Sequence, residues 1–427
     1  MAQVIPFRGL LYNEKRVGRL DSVIAPPWDV ISTELQDELY RRSRWNVVRL
    51  IFGKRFPNDD SKNNRYTRAK SFLQDWIKEG ILIKDERPAI YASVEEFSVQ
   101  DERKIRQGFI ALAKLEEFGS GTFWPHEGTM EGAWTDRMRL IEECAANFSP
   151  IFSLYPDPDG TVEGIISQQM DRSPDIEVAN NDETYRRVWK LTDPDIIGRI
   201  CEEIDGRSVF IADGHHRYET ALAFRNKMRS KYPGGGPHDY VLMYFANIYN
   251  PGLTILPVHR MIGNIPNFNA KRFLNRAEEF FQIERFKSTP SDLLQQMSLR
   301  KDEGNLLGLY AEGALYLLIL TDRHLIDDLI DDDKPEEWKR LDVVVLHALL
   351  INYILGMDPA SSDIRYTVDS EEVMRLVNRE AYQIGIFLNP LKAEEIYAVA
   401  KRGIRMPPKS TYFYPKVPSG LVMNKIF

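Results

Sequence analysis

The stretch SVFIADGHHRYETALAF, Ser208 to Phe224, changes character in its middle. Its first residues are mostly apolar, as in a buried strand, and the residues after Arg217 have the spacing of a helix. Between them, residues 213–217 read Asp-Gly-His-His-Arg, which places two of the seven histidines side by side. A capped turn would explain the Asp-Gly pair alone, but adjacent histidines and an arginine serve no turn requirement. We interpret this strand-to-helix corner as the candidate functional site.

The residues of this corner suit phosphate. A helix N-terminus offers unpaired backbone N–H groups and partial positive charge, and Gly214 lets the backbone approach an anion. His215, His216 and Arg217 add side-chain donors, and a guanidinium binds phosphate oxygens bidentately. Asp213 would repel a bare phosphate. It is therefore expected to bind Mg²⁺ carried by a nucleotide, or to accept a proton from an attacking hydroxyl.

Composition narrows the class of protein. The 427 residues are 43 % hydrophobic and 28 % charged, which is typical of a soluble globular protein of two or three domains. The net charge of −7 gives no global electrostatic case for binding nucleic acid.

Cys144 and Cys201 stand far apart in the sequence, so neither a zinc site nor a disulfide framework is expected. The first residues lack a signal-peptide core, and the longest apolar helix candidate, residues 343–357, is too short for a bilayer. We expect a cytoplasmic protein with no membrane partner.

Hydrophobic periodicity predicts an α+β fold. Residues 64–80 and 270–283 have helical spacing, and residues 46–53, NVVRLIFG, suggest a strand. The pairs of apolar runs in 89–118 and 307–320 suggest hairpins.

Loop-forming residues such as YPDPDG, 155–160, suggest boundaries between regions. We predict an N-terminal α+β region over 1–155, a region carrying the corner over 156–264, and a C-terminal α+β region over 265–427. The aromatic tail MPPKSTYFYPK, residues 406–416, is expected to be ordered as an extended strand.

Three other stretches carry candidate residues of a second tier. WPHEGTMEG contains His126 and Glu127, and LPVHRMI ends a strand with His259 and Arg260. The tail carries the donors Lys409, Ser410, Thr411 and Lys416, and we expect it to bring Lys409 to the anion site. Surface loops, solvated strand ends and plain packing remain open as alternative interpretations of these stretches. The chain has neither GxxxxGK[ST] nor GxGxxG, so P-loop and Rossmann phosphate sites are not supported.

The block IADGHHRYETAL resembles the signature of the family called domain of unknown function 1015. The resemblance runs nearly the whole chain, through PFRGLLYN, VIAPPWDVIS, NVVRLIFG, NRYTRA, GFIAL, PHEGT, NFSPIFSLY, LPVHRMI and MPPKSTYFYPKVPSGLV. The family usually has arginine after the PHE triplet, where this chain has Gly128.

The corner also resembles the phosphate-binding box of the ParB and sulfiredoxin superfamily, which includes the free serine kinases. This resemblance implies a ParB/sulfiredoxin-like core, with Mg²⁺ and ATP or ADP as cofactors. Carried over, Asp213 takes the acid/base or metal role, His215, His216 and Arg217 contact phosphates together with Gly214, and His216 joins Asp213 as a catalytic candidate. The kinases also use an upstream glutamate as base, for which Glu127 and Glu183 are candidates only because they are acidic and lie upstream.

Together these observations favour a nucleotide-dependent phosphotransferase acting on a small hydroxyl compound, free serine being a reasonable acceptor by resemblance. A nucleotide-binding regulatory protein with little chemistry, like the ParB switches, is the first alternative. A phosphate or nucleotide hydrolase is the second alternative. A version in which His215 and His216 bind the same metal ion is disfavoured, because adjacent side chains on a helix point in different directions. The expected partners are the nucleotide and a small-molecule substrate; acceptor, nucleotide base and oligomeric state stay open.

Overall fold

The computed structural model describes residues 2–99, 101–128, 131–179, 184–330 and 333–427. The chain forms two compact units, one of Met1–Thr254 with Pro415–Phe427 and one of Ile255–Tyr414. Both contain helices and strands, which confirms the predicted α+β class. The three regions predicted from the sequence stay a prediction about domains.

The strands, in chain order, are β1 (Val4–Ile5), β2 (Leu10–Tyr12), β3 (Leu82–Lys84), β4 (Ile90–Val99), β5 (Glu102–Lys114), β6 (Phe123–Pro125), β7 (Ala146–Asn147), β8 (Ile151–Tyr155), β9 (Ile176–Ala179), β10 (Tyr185–Leu191), β11 (Val209–Asp213), β12 (Tyr240–Asn247), β13 (Thr254–Leu256), β14 (His259–Ile262), β15 (Phe281–Phe286), β16 (Leu306–Ala311), β17 (Ala314–Leu320), β18 (Ile364–Thr367), β19 (Ile384–Phe387), β20 (Tyr412–Tyr414) and β21 (Asn424–Lys425).

The α-helices are α1 (Glu14–Val17), α2 (Thr33–Arg42), α3 (Val48–Ile51), α4 (Arg65–Lys78), α5 (Glu131–Cys144), α6 (Thr161–Ser167), α7 (Pro194–Ile204), α8 (His215–Arg229), α9 (Ala270–Ala277), α10 (Pro290–Leu299), α11 (Glu336–Lys339), α12 (Asp342–Val345), α13 (Ser370–Asn378) and α14 (Ala393–Ala400). A π-helix, Leu346–Ile354, continues α12. Among the described residues, no helix is long and apolar enough to cross a membrane.

The main sheet of the first unit sets the position of the corner. Among the described residues it has nine strands, in the order β6-β11-β8-β12-β5-β4-β10-β9, with β1 paired to β5. β6 runs parallel to β11, with Phe123 opposite Val209 and Pro125 opposite Ile211. Because parallel strands end at the same edge of a sheet, the residues that follow β6 and β11 become neighbours.

The core of the first unit lies on the sheet face that α6, α7 and α8 cover. Alternate residues of the central strands point into it, and Phe109 and Phe245 stack there with their ring centroids 4.9 Å apart. Tyr218 of α8 is fully buried in the same core, where its hydroxyl donates to the Glu116 carbonyl at 2.7 Å. The helix that follows the corner is therefore fixed to the sheet one turn beyond its start.

The second unit has its own sheet, in the order β15-β17-β16-β19-β14-β18. Helices α10 and α13 supply the apolar residues that pack on this sheet, among them Leu293 and Val373, both fully buried. The predicted hairpins are confirmed as the antiparallel pairs β4–β5 in the first unit and β16–β17 in the second.

Two predicted elements are wrong. Residues 46–53 were predicted as a strand, but they contain the short helix α3. At its start, Asn46 Oδ1 accepts the backbone N–H of Val48 at 2.9 Å. The helix predicted over 270–283 ends at Ala277, and strand β15 follows.

Candidate functional site

The corner between β11 and α8 depends on Gly214. This residue is the N-cap of α8 with a φ of 96°, a left-handed conformation that favours glycine. A Cβ at this position would lie 2.7 Å from Arg217 Nε, so a side chain would also displace the arginine. As a glycine, this N-cap has no side chain to cap the helix, unlike at α7, where the N-cap Asp193 accepts the Asp195 N–H at 2.9 Å. The sequence thus forms a helix N-terminus whose N-cap carries no side chain.

The Asp213 carboxylate is held by two cations. Arg217 Nη2 donates to its Oδ2, and Lys416 Nζ donates to its Oδ1. All three side chains are only 10–13 % exposed. Burial alone would raise the pKa of Asp213, but the charges of Lys416 and Arg217 outweigh burial and hold this pKa well below its usual range. Asp213 therefore pairs with side chains as a stable anion and is more than a simple helix cap.

Lys416 reaches the corner from the tail. The preceding Pro415 carbonyl accepts from Arg106 Nη2 at 2.7 Å, and Ser419 and Ala25 exchange backbone hydrogen bonds of 2.8 and 3.3 Å. The ordered strand expected in the tail is β20, just before Lys416. Sequence reasoning recognised the tail as ordered and rich in donors, but assigned Lys409 to the anion site and missed Lys416.

Arg106, which holds the tail, belongs to a buried charge cluster that no sequence pattern predicts. Glu95 of β4 accepts from Arg106 of β5 and from Arg186 of β10, the latter at 2.8 Å. The Arg106 guanidinium also lies 4.6 Å from the ring centroid of Phe152. The three charged side chains stand on neighbouring strands of one sheet, and only the fold brings them together.

His126 and His215 meet at the shared edge of β6 and β11. The His126 N–H donates to His215 Nε2 at 3.2 Å, and the two rings lie 4.7 Å apart at 71°. His126 Nδ1 donates to the Ile211 carbonyl at 2.6 Å, which fixes its tautomer, since a carbonyl only accepts. His126 is fully buried, and burial lowers its pKa to about 4, so it is neutral near pH 7.

The remaining sequence candidates of the first unit have different placements. His216 is half-buried in the first turn of α8, directly after His215. Glu127 is half-buried and follows His126 at the same sheet edge. Glu183, the other candidate base, lies outside the described residues.

His259, Arg260 and Lys409 belong to the second unit. His259 and Arg260 are fully buried in β14, rather than at a solvated strand end. Arg260 Nη2 donates to the Lys409 carbonyl at 2.9 Å, and the guanidinium lies 5.4 Å from the Tyr366 ring centroid. The structure therefore brings Arg260 and Lys409 together, whereas a role for either at the corner stays a prediction.

The residues at the corner do not form a ready cage for Mg²⁺. Mg²⁺ favours carboxylate oxygens together with water and phosphate oxygens. Both oxygens of Asp213 already accept from cations, and among the described residues no three His, Cys, Asp or Glu side chains are grouped to hold a metal.

Comparison with known proteins gave solved structures of low similarity. A conserved hypothetical protein from Pyrococcus furiosus is 13 % identical with a TM-score of 0.33, over 70 % of this chain and 90 % of that chain. SbnI with C-terminal truncation from Staphylococcus aureus is 12 % identical with a TM-score of 0.35, over 71 % and 82 %. Free serine kinase in complex with AMP is 11 % identical with a TM-score of 0.32, over 68 % and 83 %. TM-scores this low carry no argument about the site.

No curated protein matches the chain. A family model described as "Protein of unknown function (DUF1015)" matches residues 4–344, most of the 427 residues. The family membership expected from the sequence is thus confirmed, and the chain belongs to the DUF1015 family.

Proposed function

We propose that this protein is a nucleotide-dependent phosphotransferase with a ParB/sulfiredoxin-like core, which transfers a phosphoryl group from ATP or ADP to a small hydroxyl compound. Free serine is a reasonable acceptor by the resemblance of the corner. The observation that carries the proposal is the start of α8, where a left-handed glycine is the N-cap and two largely buried cations and two buried histidines lie together.

Phosphate binding is supported by the donors at this corner. The first backbone N–H groups of a 15-residue helix have no intrahelical acceptor, and they carry the positive end of the helix dipole. His215 accepts the backbone N–H of His126 at Nε2, so its neutral form carries the proton on Nδ1. In the proposal these groups bind phosphate oxygens together with Gly214, His216 and Arg217.

Asp213 has its proton-accepting role only once phosphate is bound. A carboxylate whose pKa is held far below 7 is a weak base, because general-base efficiency follows basicity. A phosphate that takes Arg217 or Lys416 as its counter-ion removes one of the charges that lower the Asp213 pKa. Nucleotide binding would thereby raise this pKa and free an oxygen of Asp213 to accept the proton of the attacking hydroxyl.

Mg²⁺ enters the proposal only as a companion of the nucleotide. When bound to phosphates it neutralises developing charge during transfer. Since Asp213 is engaged by Arg217 and Lys416, the residues of this chain hold and orient the phosphates, and no metal ligand is assigned among them.

The decisive experiment is Asp213→Asn. The amide keeps the size of the side chain and removes the negative charge, so nucleotide affinity measured by calorimetry should be unchanged or higher. Turnover of ATP or ADP, assayed with serine and other small hydroxyl compounds, should fall about a hundredfold or more because the proton acceptor is lost. Asp195→Asn, at an exposed position of α7, is the control and should match wild type in both assays.

Turnover of Asp213→Asn within a few-fold of wild type would contradict the catalytic role. The full engagement of Asp213 by two cations favours one alternative, a nucleotide-binding protein with little chemistry. Tight nucleotide binding by the wild type, without phosphoryl transfer or hydrolysis for any acceptor, would support that alternative.

A further inference from the structure

A small cavity lies beside the corner, on the side of Arg217 that faces α5 and β7. Its volume is about 60 Å³, which is room for roughly four to six water-sized groups. Its lining includes Trp28, Arg137, Phe148, Ser149, Arg217 and Thr220. Arg217 thus belongs both to this cavity and to the Asp213 ion pair.

The cavity is lined by cations without a carboxylate. Arg137 and Arg217 both contribute to its wall, and no Asp or Glu does so among the residues that the structure describes. Arg137 is buried, lies 4.5 Å from the Trp28 ring centroid, and donates through Nε to Asp136 at 2.8 Å and through Nη1 to the Ile51 carbonyl at 2.9 Å. Asp136 and Asp213 fix these two guanidinium groups at the cavity wall, and a planar guanidinium suits a carboxylate.

Thr220 adds an unsatisfied hydroxyl to this wall. The residue is 2 % exposed, and its Oγ1 has no hydrogen-bond partner within the described ranges of the chain. In a helix, a threonine hydroxyl commonly bonds to the carbonyl four residues earlier, which this one does not. A buried hydroxyl without a partner costs stability, so its presence at a cavity is explained if a ligand supplies the partner.

We propose that this cavity is the acceptor subsite and binds a small hydroxy carboxylate. Its carboxylate meets Arg137 and Arg217, Thr220 hydrogen-bonds to the ligand, and the apolar ring of Trp28 packs on its carbon chain. The role of acceptor rests on the proposed phosphotransferase function, but the binding of the compound does not depend on nucleotide.

The test uses the full-length protein without nucleotide and three matched pairs of probes. Glycolate is paired with ethylene glycol, L-lactate with 1,2-propanediol, and L-serine with serinol, so each pair differs in the carboxylate. Ligand-observed NMR titration should give at least one carboxylate a Kd tenfold or more below that of its partner. Equal Kd values within every pair, or no binding by any carboxylate, would overturn the inference.

Substitution of Thr220 tests the location. Thr220→Val should raise the Kd about five- to tenfold, the usual effect of one hydrogen bond, whereas Thr220→Ser should stay near wild type because it keeps the hydroxyl. Thr254→Val makes the same change at a buried threonine outside the cavity and should leave the Kd unchanged. An unaltered Kd in Thr220→Val would overturn the placement.

These results separate the two proposals. Carboxylate binding that responds to Thr220, in a protein without phosphoryl transfer, would keep the subsite and refute the phosphotransferase. Phosphoryl transfer without such binding would refute the subsite alone.

Discussion

Asp213 accepts from two cations that lie at very different distances along the chain. Arg217 stands four residues later in the same helix, and Lys416 stands 203 residues later. The corner was predictable as a candidate site, because the Asp-Gly-His-His-Arg block serves no turn requirement, but the pairing of Asp213 with Arg217 was not predicted. Lys416 was not predictable, since nothing in the tail distinguishes it from Lys409 until the fold is known. The pairing of His126 with His215 likewise depends on β6 and β11 being parallel neighbours.

The buried imidazole of His126 makes stability depend on pH. Its pKa is about 4 in the folded protein, below the ordinary value of 6.5, because burial disfavours the charged form. The unfolded chain therefore binds more protons between pH 6.5 and 4, and the free energy of unfolding should fall as the pH falls through this range. Between pH 7 and 4.5, wild type should lose about 2–3 kcal/mol more than His126→Asn, as measured by urea denaturation at both pH values.

Comparison with that variant removes the contributions of His259 and His347 from the measurement. His259 and His347 have pKa values lowered to about 3 by burial, and they contribute equally to both proteins. Parallel losses of stability in wild type and His126→Asn would show that His126 does not titrate as a buried group.

At the scale of elements, secondary structure was predicted correctly where apolar residues recur with one clear period, and it was not predicted correctly for short apolar runs. The helix α4 and both hairpins follow from their spacing. Residues 46–53 were ambiguous because a short apolar run suits either a strand or a buried helix. The strand β15 was missed because its residues continue the helical spacing of α9, and pairing with β17 decides its conformation.

The start of α8 provides a prediction about an element. Gly214→Ala places a Cβ at a φ of 96° and 2.7 Å from Arg217 Nε. The free energy of unfolding should fall by about 1–3 kcal/mol, and nucleotide affinity should fall with it because Arg217 is displaced. Chemical denaturation and calorimetry would measure the two effects.

Gly198→Ala is the matched control. Gly198 lies inside α7, and a Cβ added there would meet no neighbouring element of the described chain within 4 Å, so alanine should stabilise the protein by about 0.5–1 kcal/mol. A Gly214→Ala protein as stable as Gly198→Ala would show that the corner tolerates a side chain.

At the scale of the whole molecule, the first unit is discontinuous in sequence. Its last segment, Pro415–Phe427, follows the residues of the second unit in the sequence. No periodic pattern signals such a return, and the tail was predicted only to be ordered. Apolar side chains of this segment are buried in the first unit: Val417, Leu421, Val422, Met423 and Ile426.

Deletion of residues 415–427 should unfold the first unit. Burying five such side chains contributes roughly 10 kcal/mol, which is comparable to the stability of a whole domain. Circular dichroism and urea denaturation should show the loss of a cooperative transition, and nucleotide binding should disappear. Deletion of Phe427 alone, whose side chain is 51 % exposed, is the control and should leave the transition in place. A truncated protein with wild-type stability would contradict this account of the tail.

The pairing of Asp213 with Lys416 also has a consequence for biosynthesis. Translation proceeds at about 5–20 residues per second, so the lysine is made roughly 10–40 seconds after the aspartate. During this interval the nascent chain carries a carboxylate with only one of its two cationic partners, Arg217, and β7 has no β21 beside it. A ribosome that stalls late therefore releases a protein with its second unit made and its corner unfinished, which cellular proteases are well placed to remove.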